Sequence, residues 1–97
     1  MNKLLPILCL LIIASCSKEI NEDQLVKREG IYYEINSQTP FSGRVVAYHK
    51  NGQLEGKVIF KDGKRNGFME YYSENGELHG KYCYKNDEIV ATSDCEK

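Results

Sequence analysis

GRVVAYHKNGQLEGKVIFKDGKR, residues 43–65, returns one residue later as GFMEYYSENGELHGKYCYKNDEI, residues 67–89. The two stretches align without a gap at an offset of 24 residues, and eight of their 23 paired positions are identical. The identical pairs are Gly43/Gly67, Tyr48/Tyr72, Asn51/Asn75, Gly52/Gly76, Leu54/Leu78, Gly56/Gly80, Lys57/Lys81 and Lys61/Lys85. A fixed period is typical of stacked supersecondary units, each too small to bury its own apolar face. The repeat is therefore expected to set the architecture of the chain.

Turn signals divide the repeat into segments of strand length. They fall at Asn51-Gly52, Asp62-Gly63, Asn75-Gly76 and Asn86-Asp87. Asn-Gly and Asp-Gly pairs favour type I′ hairpin turns, because both central residues of such a turn need positive φ. The segments between the turns, such as residues 53–61, alternate apolar and polar side chains and lack the i, i+3, i+4 spacing of a helix. With the β-prone residues 31–35, the pattern predicts an all-β fold, an antiparallel β meander of about five or six strands.

One face of this meander is expected to carry most of the aromatic side chains of the repeat. The rings assigned to it are Tyr48, Phe60, Phe68, Tyr72, Tyr82 and Tyr84. Rings along an open sheet would make a platform for a peptide, a glycan or a partner protein, a use that suits tyrosine. The alternative is that the rings pack on each other and on the repeat glycines as the core of a thin domain. Packing is the favoured role for any single ring, and the two roles overlap because a single-layer sheet cannot bury both faces.

The N-terminus resembles the signal of a bacterial lipoprotein. Lys3 gives a positive start, and residues 4–14 are almost wholly apolar, although about 11 residues are too few to span a bilayer, which needs roughly 20. IASC, residues 13–16, resembles the lipobox, which implies cleavage before Cys16 and lipid attachment to that residue. An ordinary signal peptide or a buried apolar segment, with an incidental cysteine, is the alternative. Because Ser17 is not aspartate, the resemblance favours the outer membrane over inner-membrane retention, if the organism has an outer membrane.

These features divide the chain into four parts. We expect a lipoprotein signal peptide over residues 1–15, a lipidated N-terminus and polar tether over 16–29, a repeat domain over 30–92 and a C-terminal tail over 93–97. The whole chain has 13 Lys and Arg against 14 Asp and Glu, and without the signal its formal charge is about −2, which is no footprint for nucleic acid. No polybasic run along the sequence supplements the anchor.

The remaining cysteines have different expected fates. Cys9 leaves with the signal, and Cys83 and Cys95 remain in a compartment that permits disulfides. A bridge between them would contribute on the order of 3 kcal/mol in the chain-entropy model. Two free thiols are the alternative, since Cys83 occupies the position of Ile59 in the other repeat. The C-x-x-C spacing is absent, so neither metal nor redox chemistry is indicated.

The repeat resembles a known family. The matching positions are Tyr48-x-x-Asn51-Gly52-x-Leu54, Gly56-x-x-x-Phe60-x-Asp62-Gly63-x-x-x-Gly67 and Tyr72-x-x-Asn75-Gly76-x-Leu78-x-Gly80. They resemble the MORN-repeat variant of bacterial YwqK-type, antitoxin-like proteins, over residues 31–89. The resemblance implies an elongated, single-layered β sheet built from successive hairpins. The sequence departs from it at Asn86-Asp87, where glycine is missing, and we expect the array to end there.

No residue pattern indicates catalysis. His49 and His79 have no equivalent in the other repeat and no second ligand at metal spacing, and no acidic pair is set apart for acid–base work. We therefore expect a non-enzymatic, membrane-anchored lipoprotein, without metal or cofactor beyond the lipid on Cys16. Its β-repeat sheet would be a protein-interaction or scaffolding module at the cell envelope, with an unidentified protein partner. The alternatives are an envelope lipid or glycan binder and an immunity-like or antitoxin-like accessory protein.

Overall fold

The computed structural model describes residues 18–96 and confirms an all-β fold. The strands are β1 (Glu19–Asn21), β2 (Leu25–Arg28), β3 (Ile31–Glu34), β4 (Gly43–Tyr48), β5 (Leu54–Lys61), β6 (Lys64–Tyr72), β7 (Leu78–Lys85) and β8 (Glu88–Val90). A 3₁₀ turn at Glu22–Gln24 separates β1 from β2, and another at Thr92–Asp94 follows β8. Six strands form the main sheet in the order β1-β4-β5-β6-β7-β8, and β2 pairs with β3 in a second sheet. In the part of the chain described, no helix is long and apolar enough to cross a membrane.

The hairpin turns explain how the repeat continues without a glycine at its end. Asp62 and Gly63 have φ of 52° and 81°, and Asn86 and Asp87 have φ of 55° and 73°. Positive φ at both central residues is what a type I′ turn requires. Asp and Asn tolerate this region better than other side chains, so Asp87 takes the place expected for glycine. The main sheet extends beyond this turn by one short strand, because β8 follows and pairs with β7.

The two Asn-Gly pairs form longer loops than expected. In the loops over residues 49–53 and 73–77, only Gly52 and Gly76 have positive φ. The first residue of each loop donates its N–H to the carbonyl of the fifth at 2.8 Å, and the glycine N–H returns to the carbonyl of the first at 2.9 Å. Two copies of one motif thus adopt one loop geometry, which is the structural form of the 24-residue repeat.

The expectation of a single-layered meander is wrong at the N-terminal side. β1 joins the main sheet parallel to β4 with Ile20 opposite Val45, and β2 and β3 form a second, antiparallel sheet. Residues 19–28, expected to belong to a polar tether, are thus mostly strand. The polar composition gave no signal for β1, because only Ile20 of its three residues is buried. The expected signal peptide (1–15) and Cys16 lie outside the described residues.

The core lies between the small sheet and β4–β5 of the main sheet. Its buried members are Ile20, Phe41, Val45, Val58 and Phe60, with Leu25, Tyr32 and Met69 packed against them. Backbone hydrogen bonds fix the small sheet over the β5–β6 turn: Tyr32 N–H donates to the Gly63 carbonyl at 2.9 Å, and Gly63 N–H donates to the Phe41 carbonyl at 2.8 Å. A Cβ at Gly63 would overlap Ile31. The small sheet therefore covers the first repeat and needs glycine at this turn.

A disulfide joins Cys83 to Cys95, with Cα atoms 5.9 Å apart. Cys83 is fully buried on β7, and Cys95 directly follows the second 3₁₀ turn. The bridge, left open by the sequence, therefore fastens the C-terminal segment to the main sheet.

Candidate functional site

Cross-strand pairing places the predicted aromatic set on two faces rather than one. Met69 lies opposite Val58 on β5 and Tyr82 on β7, so these side chains share the face that carries the core, here called the inner face. Phe68 lies opposite Cys83 and, next to Met69 along the strand, it points to the other side, here called the outer face. The six rings therefore do not form one platform, because adjacent strand residues alternate in direction.

On the outer face, Phe68 and Tyr72 belong to a charged network around Glu70. Glu70 lies 3.4 Å from the Lys57 ammonium and 3.8 Å from that of Lys81, and it accepts the Tyr72 hydroxyl at 2.9 Å. The Lys81 ammonium lies 4.2 Å from the centre of the Phe68 ring. Partial burial opposes the charge on Glu70, but the Tyr72 hydrogen bond and the two lysines outweigh it and lower the pKa of this carboxyl. These two rings thus support a structural network.

On the inner face, Phe60 and Tyr84 are also occupied within the fold. Phe60 is buried, with the Tyr32 and Phe41 rings at centroid distances of 5.0 Å and 6.1 Å. The Arg65 guanidinium lies 4.4 Å from the centre of the Tyr84 ring. Of the six predicted rings, Tyr48 and Tyr82 are exposed. Ala47 pairs with Gly56 on the inner face. Its neighbour Tyr48 therefore lies on the outer face.

The exposed aromatic feature of the inner face is a pair that includes a residue the sequence analysis missed. Tyr71 and Tyr82 pack edge to face with centroids 6.1 Å apart, and they are 41% and 43% exposed. Each ring is close to a repeat glycine, because a Cβ on Gly56 would lie 3.4 Å from the Tyr71 ring and one on Gly80 would lie 3.2 Å from the Tyr82 ring. We call this pair the tyrosine patch.

The repeat offset contained the signal for this patch. Moving back 24 residues places Tyr71 on Ala47 and Tyr82 on Val58. Val58 is buried in the first repeat, where β1 and the small sheet cover it. In the second repeat, no described element covers the inner face, and tyrosines occupy the positions that hold smaller residues in the first repeat. At these two positions the repeats therefore differ both in side-chain size and in burial.

A cleft of about 170 Å³ adjoins the tyrosine patch on the inner face. Val45, Val58 and Met69 contribute its apolar lining, and Glu22 and Glu55 line it with carboxylates. Partial burial raises the pKa of the Tyr71 hydroxyl, and the Glu55 carboxylate acts in the same direction. The patch therefore borders an apolar depression with an acidic rim.

The described part of the chain brings no set of metal-ligating side chains together. Among residues 18–96, no group of three His, Cys, Asp or Glu side chains is arranged to hold a metal ion. His49 Nε2 lies 2.8 Å from the Tyr72 carbonyl, to which its N–H donates, and Asn51 Nδ2 donates to the Glu74 carbonyl at 2.9 Å. The first contact joins the loop over residues 49–53 to the end of β6, and the second joins it to the loop over residues 73–77, so both are structural.

Comparison of the chain with protein-family models, with curated proteins and with solved structures finds no match. The tyrosine patch and its position relative to the covered first repeat therefore carry the functional argument.

Proposed function

We propose that this protein is a non-enzymatic lipoprotein, anchored in the cell envelope through Cys16, whose repeat sheet binds a partner protein at the tyrosine patch. The lipobox-like residues 13–16 support the anchor. The observation that carries the binding role is that Tyr71 and Tyr82 lie exposed on the face that the chain itself covers at the first repeat. In finer detail, we propose that the hairpins β4–β5 and β6–β7 are MORN-variant repeats and that the small sheet is an addition to that array.

The area of the patch is large enough to matter for binding. A tyrosine side chain offers roughly 200 Å², so covering the remaining two-fifths of either ring would contribute about 2 kcal/mol at 25 cal/mol per Å². Tyrosine is also enriched at the centre of protein interfaces, where it adds large area at low entropy cost. The neighbouring cleft can receive one side chain of the partner.

Co-purification with surface variants tests this proposal. The tagged, lipidated protein is extracted from its own membranes as wild type, as Tyr71→Ser with Tyr82→Ser, and as Tyr48→Ser. Tyr48 is the matched control, because it is at least as exposed as the two patch tyrosines but lies outside the patch. We expect one protein in stoichiometric amount with the wild type and the Tyr48 variant, and its loss from the double variant. Equal recovery from all three would contradict the proposal, and binding of the purified protein to peptidoglycan alone would favour the glycan alternative.

A further inference from the structure

The fold sorts the charges of this nearly neutral chain to opposite ends of the main sheet. One end carries the β2–β3, β5–β6 and β7–β8 turns, and the other carries the loops over residues 49–53 and 73–77. Charged residues near the first end, apart from the ion pairs Arg65–Asp87, Arg44–Glu19 and Lys18–Glu34, are Lys27, Arg28, Lys61, Lys64 and Lys85 against Glu29, Asp62 and Glu88. Those near the second are Glu22, Asp23, Glu55, Glu74 and Glu77 against Lys50. We call these the lysine end and the acidic end.

At the lysine end, three lysine ammonium groups are available to bind an external anion. Lys61, Lys64 and Lys85 line one shallow depression of about 390 Å³ together with Asn66 and Asn86. Within residues 18–96, none of these three lysines takes part in an ion pair, whereas the carboxylate of Asp87 is held by Arg65. Asp62 also lines the depression, and it leaves an excess of positive charge there. The surface thus combines cations with amide donors, which is the chemistry that binds phosphate oxygens.

The start of β1 lies at the same end. The Arg44 N–H donates to the Lys18 carbonyl at 2.8 Å, and β1 runs parallel to β4, so the chain enters the sheet where β4 begins. The adjoining Ser42 hydroxyl accepts the Asp62 N–H at 2.8 Å, which places this entry beside the β5–β6 turn. In the sequence, Cys16 precedes Lys18 by two residues.

We infer that the lysine end lies on the anionic headgroups of the membrane that holds the lipid, with the acidic end pointing away. This inference rests on the lipid anchor of the proposed function. A strand of eight residues spans about 25 Å, which exceeds the Debye length of roughly 8 Å at physiological salt. The negative surface therefore attracts the near end, and it acts little on the acidic end. Tyr71 lies close to the loop over residues 73–77, so this orientation presents the tyrosine patch away from the bilayer.

Paramagnetic relaxation in lipid nanodiscs tests the orientation with the intact mature protein. A gadolinium-labelled headgroup lipid is placed in phosphatidylcholine discs with or without phosphatidylglycerol, after mass spectrometry has established acylation of Cys16. Backbone amides of Gly63 and Asn86 report the lysine end, and those of Gly52 and Gly76 report the acidic end. We expect strong relaxation at Gly63 and Asn86 in the anionic discs, little at Gly52 and Gly76, and a smaller contrast in pure phosphatidylcholine or at high salt.

Charge variants distinguish orientation by the lysine charges from orientation by the lipid anchor alone. Each lysine near an anionic surface changes the orientation equilibrium by about fivefold, so combining Lys61→Gln, Lys64→Gln and Lys85→Gln abolishes the dependence on phosphatidylglycerol. Lys50→Gln at the acidic end is the matched control and leaves it unchanged. Equal relaxation at both ends, or a contrast that is the same in both kinds of disc, would overturn the inference while the lipid anchor stands. Absence of the acyl group on Cys16 would instead contradict the anchor of the proposed function.

Discussion

Arg65 and Asp87 are joined by three hydrogen bonds between the start of β6 and the β7–β8 turn. The Asp87 carboxylate accepts the Arg65 side-chain N–H at 2.7 Å and its backbone N–H at 3.3 Å. In return, the Asp87 backbone N–H donates to the Arg65 carbonyl at 2.9 Å. The side chains are about one quarter exposed, so the pair is partly shielded from solvent. It fixes the turn that lacks the expected glycine.

The stability contributed by this pair should depend on pH. The hydrogen bond from Arg65 lowers the pKa of Asp87 in the folded protein, so its contribution is complete above the ordinary carboxyl pKa of about 3.9 and is lost as the pH falls through the lowered value. We expect Asp87→Asn to reduce the free energy of unfolding by about 1–2 kcal/mol at pH 7, with a smaller difference from wild type below about pH 3. Urea unfolding at both pH values measures this.

Asp62→Asn is the control for that experiment. Asp62 also lies in a hairpin turn with positive φ (52°), at the first central position, whereas Asp87 has the second, and Asp62 has no ion pair among the described residues. It should change stability by less than about 0.5 kcal/mol at either pH. If Asp87→Asn behaved like the control at pH 7, the Arg65 pair would have no role in stability.

Two glycines at similar φ should respond differently to alanine. Gly63 and Gly52 have φ of 81° and 91°, but a Cβ at Gly63 would meet Ile31, Tyr32 and Pro40, whereas one at Gly52 would meet nothing within 4 Å. Gly52→Ala should cost about 1 kcal/mol from backbone strain alone, and Gly63→Ala should cost about 3 kcal/mol or more because the small sheet is displaced. Thermal unfolding of both variants compares them, and equal losses would show that the small sheet does not pack on this turn.

Loss of the disulfide should weaken the domain. Cys83 and Cys95 are 12 residues apart, and closure of such a loop contributes about 3 kcal/mol in the chain-entropy model. Cys95→Ala should therefore lower the free energy of unfolding by about 2–3 kcal/mol, and a reducing agent should lower the wild type to a similar value. Wild-type unfolding that does not respond to the reducing agent would contradict this account.

The assignment of rings to core or surface makes a further prediction. Phe60 is 4% exposed and Tyr82 is 43% exposed, although the sequence placed both on one face. Phe60→Ala should destabilise the protein by about 3–5 kcal/mol, whereas Tyr82→Ser should cost less than about 1 kcal/mol. Urea unfolding followed by circular dichroism measures both, and a large loss for Tyr82→Ser would mean that this ring belongs to the core.

The local elements could be predicted from the sequence because their signals are local. The alternation in residues 53–61 and the Asp-Gly pair at 62–63 determine β5, its turn and β6 with no distant contact. The parallel pairing of β1 could not be predicted in this way. A single buried side chain, Ile20 opposite Val45, decides it, and the flanking residues are polar. The β2–β3 turn was missed for a related reason, since Glu29 takes φ of 52° before Gly30, and glutamate is not a residue that signals such turns.

The candidate site was predicted only in part because β-bulges and strand parity decide which ring faces which way. Tyr71 and Tyr72 are neighbours in sequence, but the first belongs to the patch and the second to the network around Glu70. One residue of register moves a side chain to the opposite face. The lysine end could not be predicted for a different reason. Lys61, Lys64 and Lys85 are separated in the sequence, and only the turns bring them together.

Site-specific photo-cross-linking in living cells tests the central claim most directly. A photoreactive phenylalanine analogue replaces Tyr82 in one form of the lipidated protein and Tyr48 in another. The proposal predicts one abundant cross-linked protein from position 82, absent from position 48 and lost when Tyr71→Ser is added. The same cross-links from both positions, or none from position 82 in a protein that is folded and acylated, would contradict a binding role for the tyrosine patch.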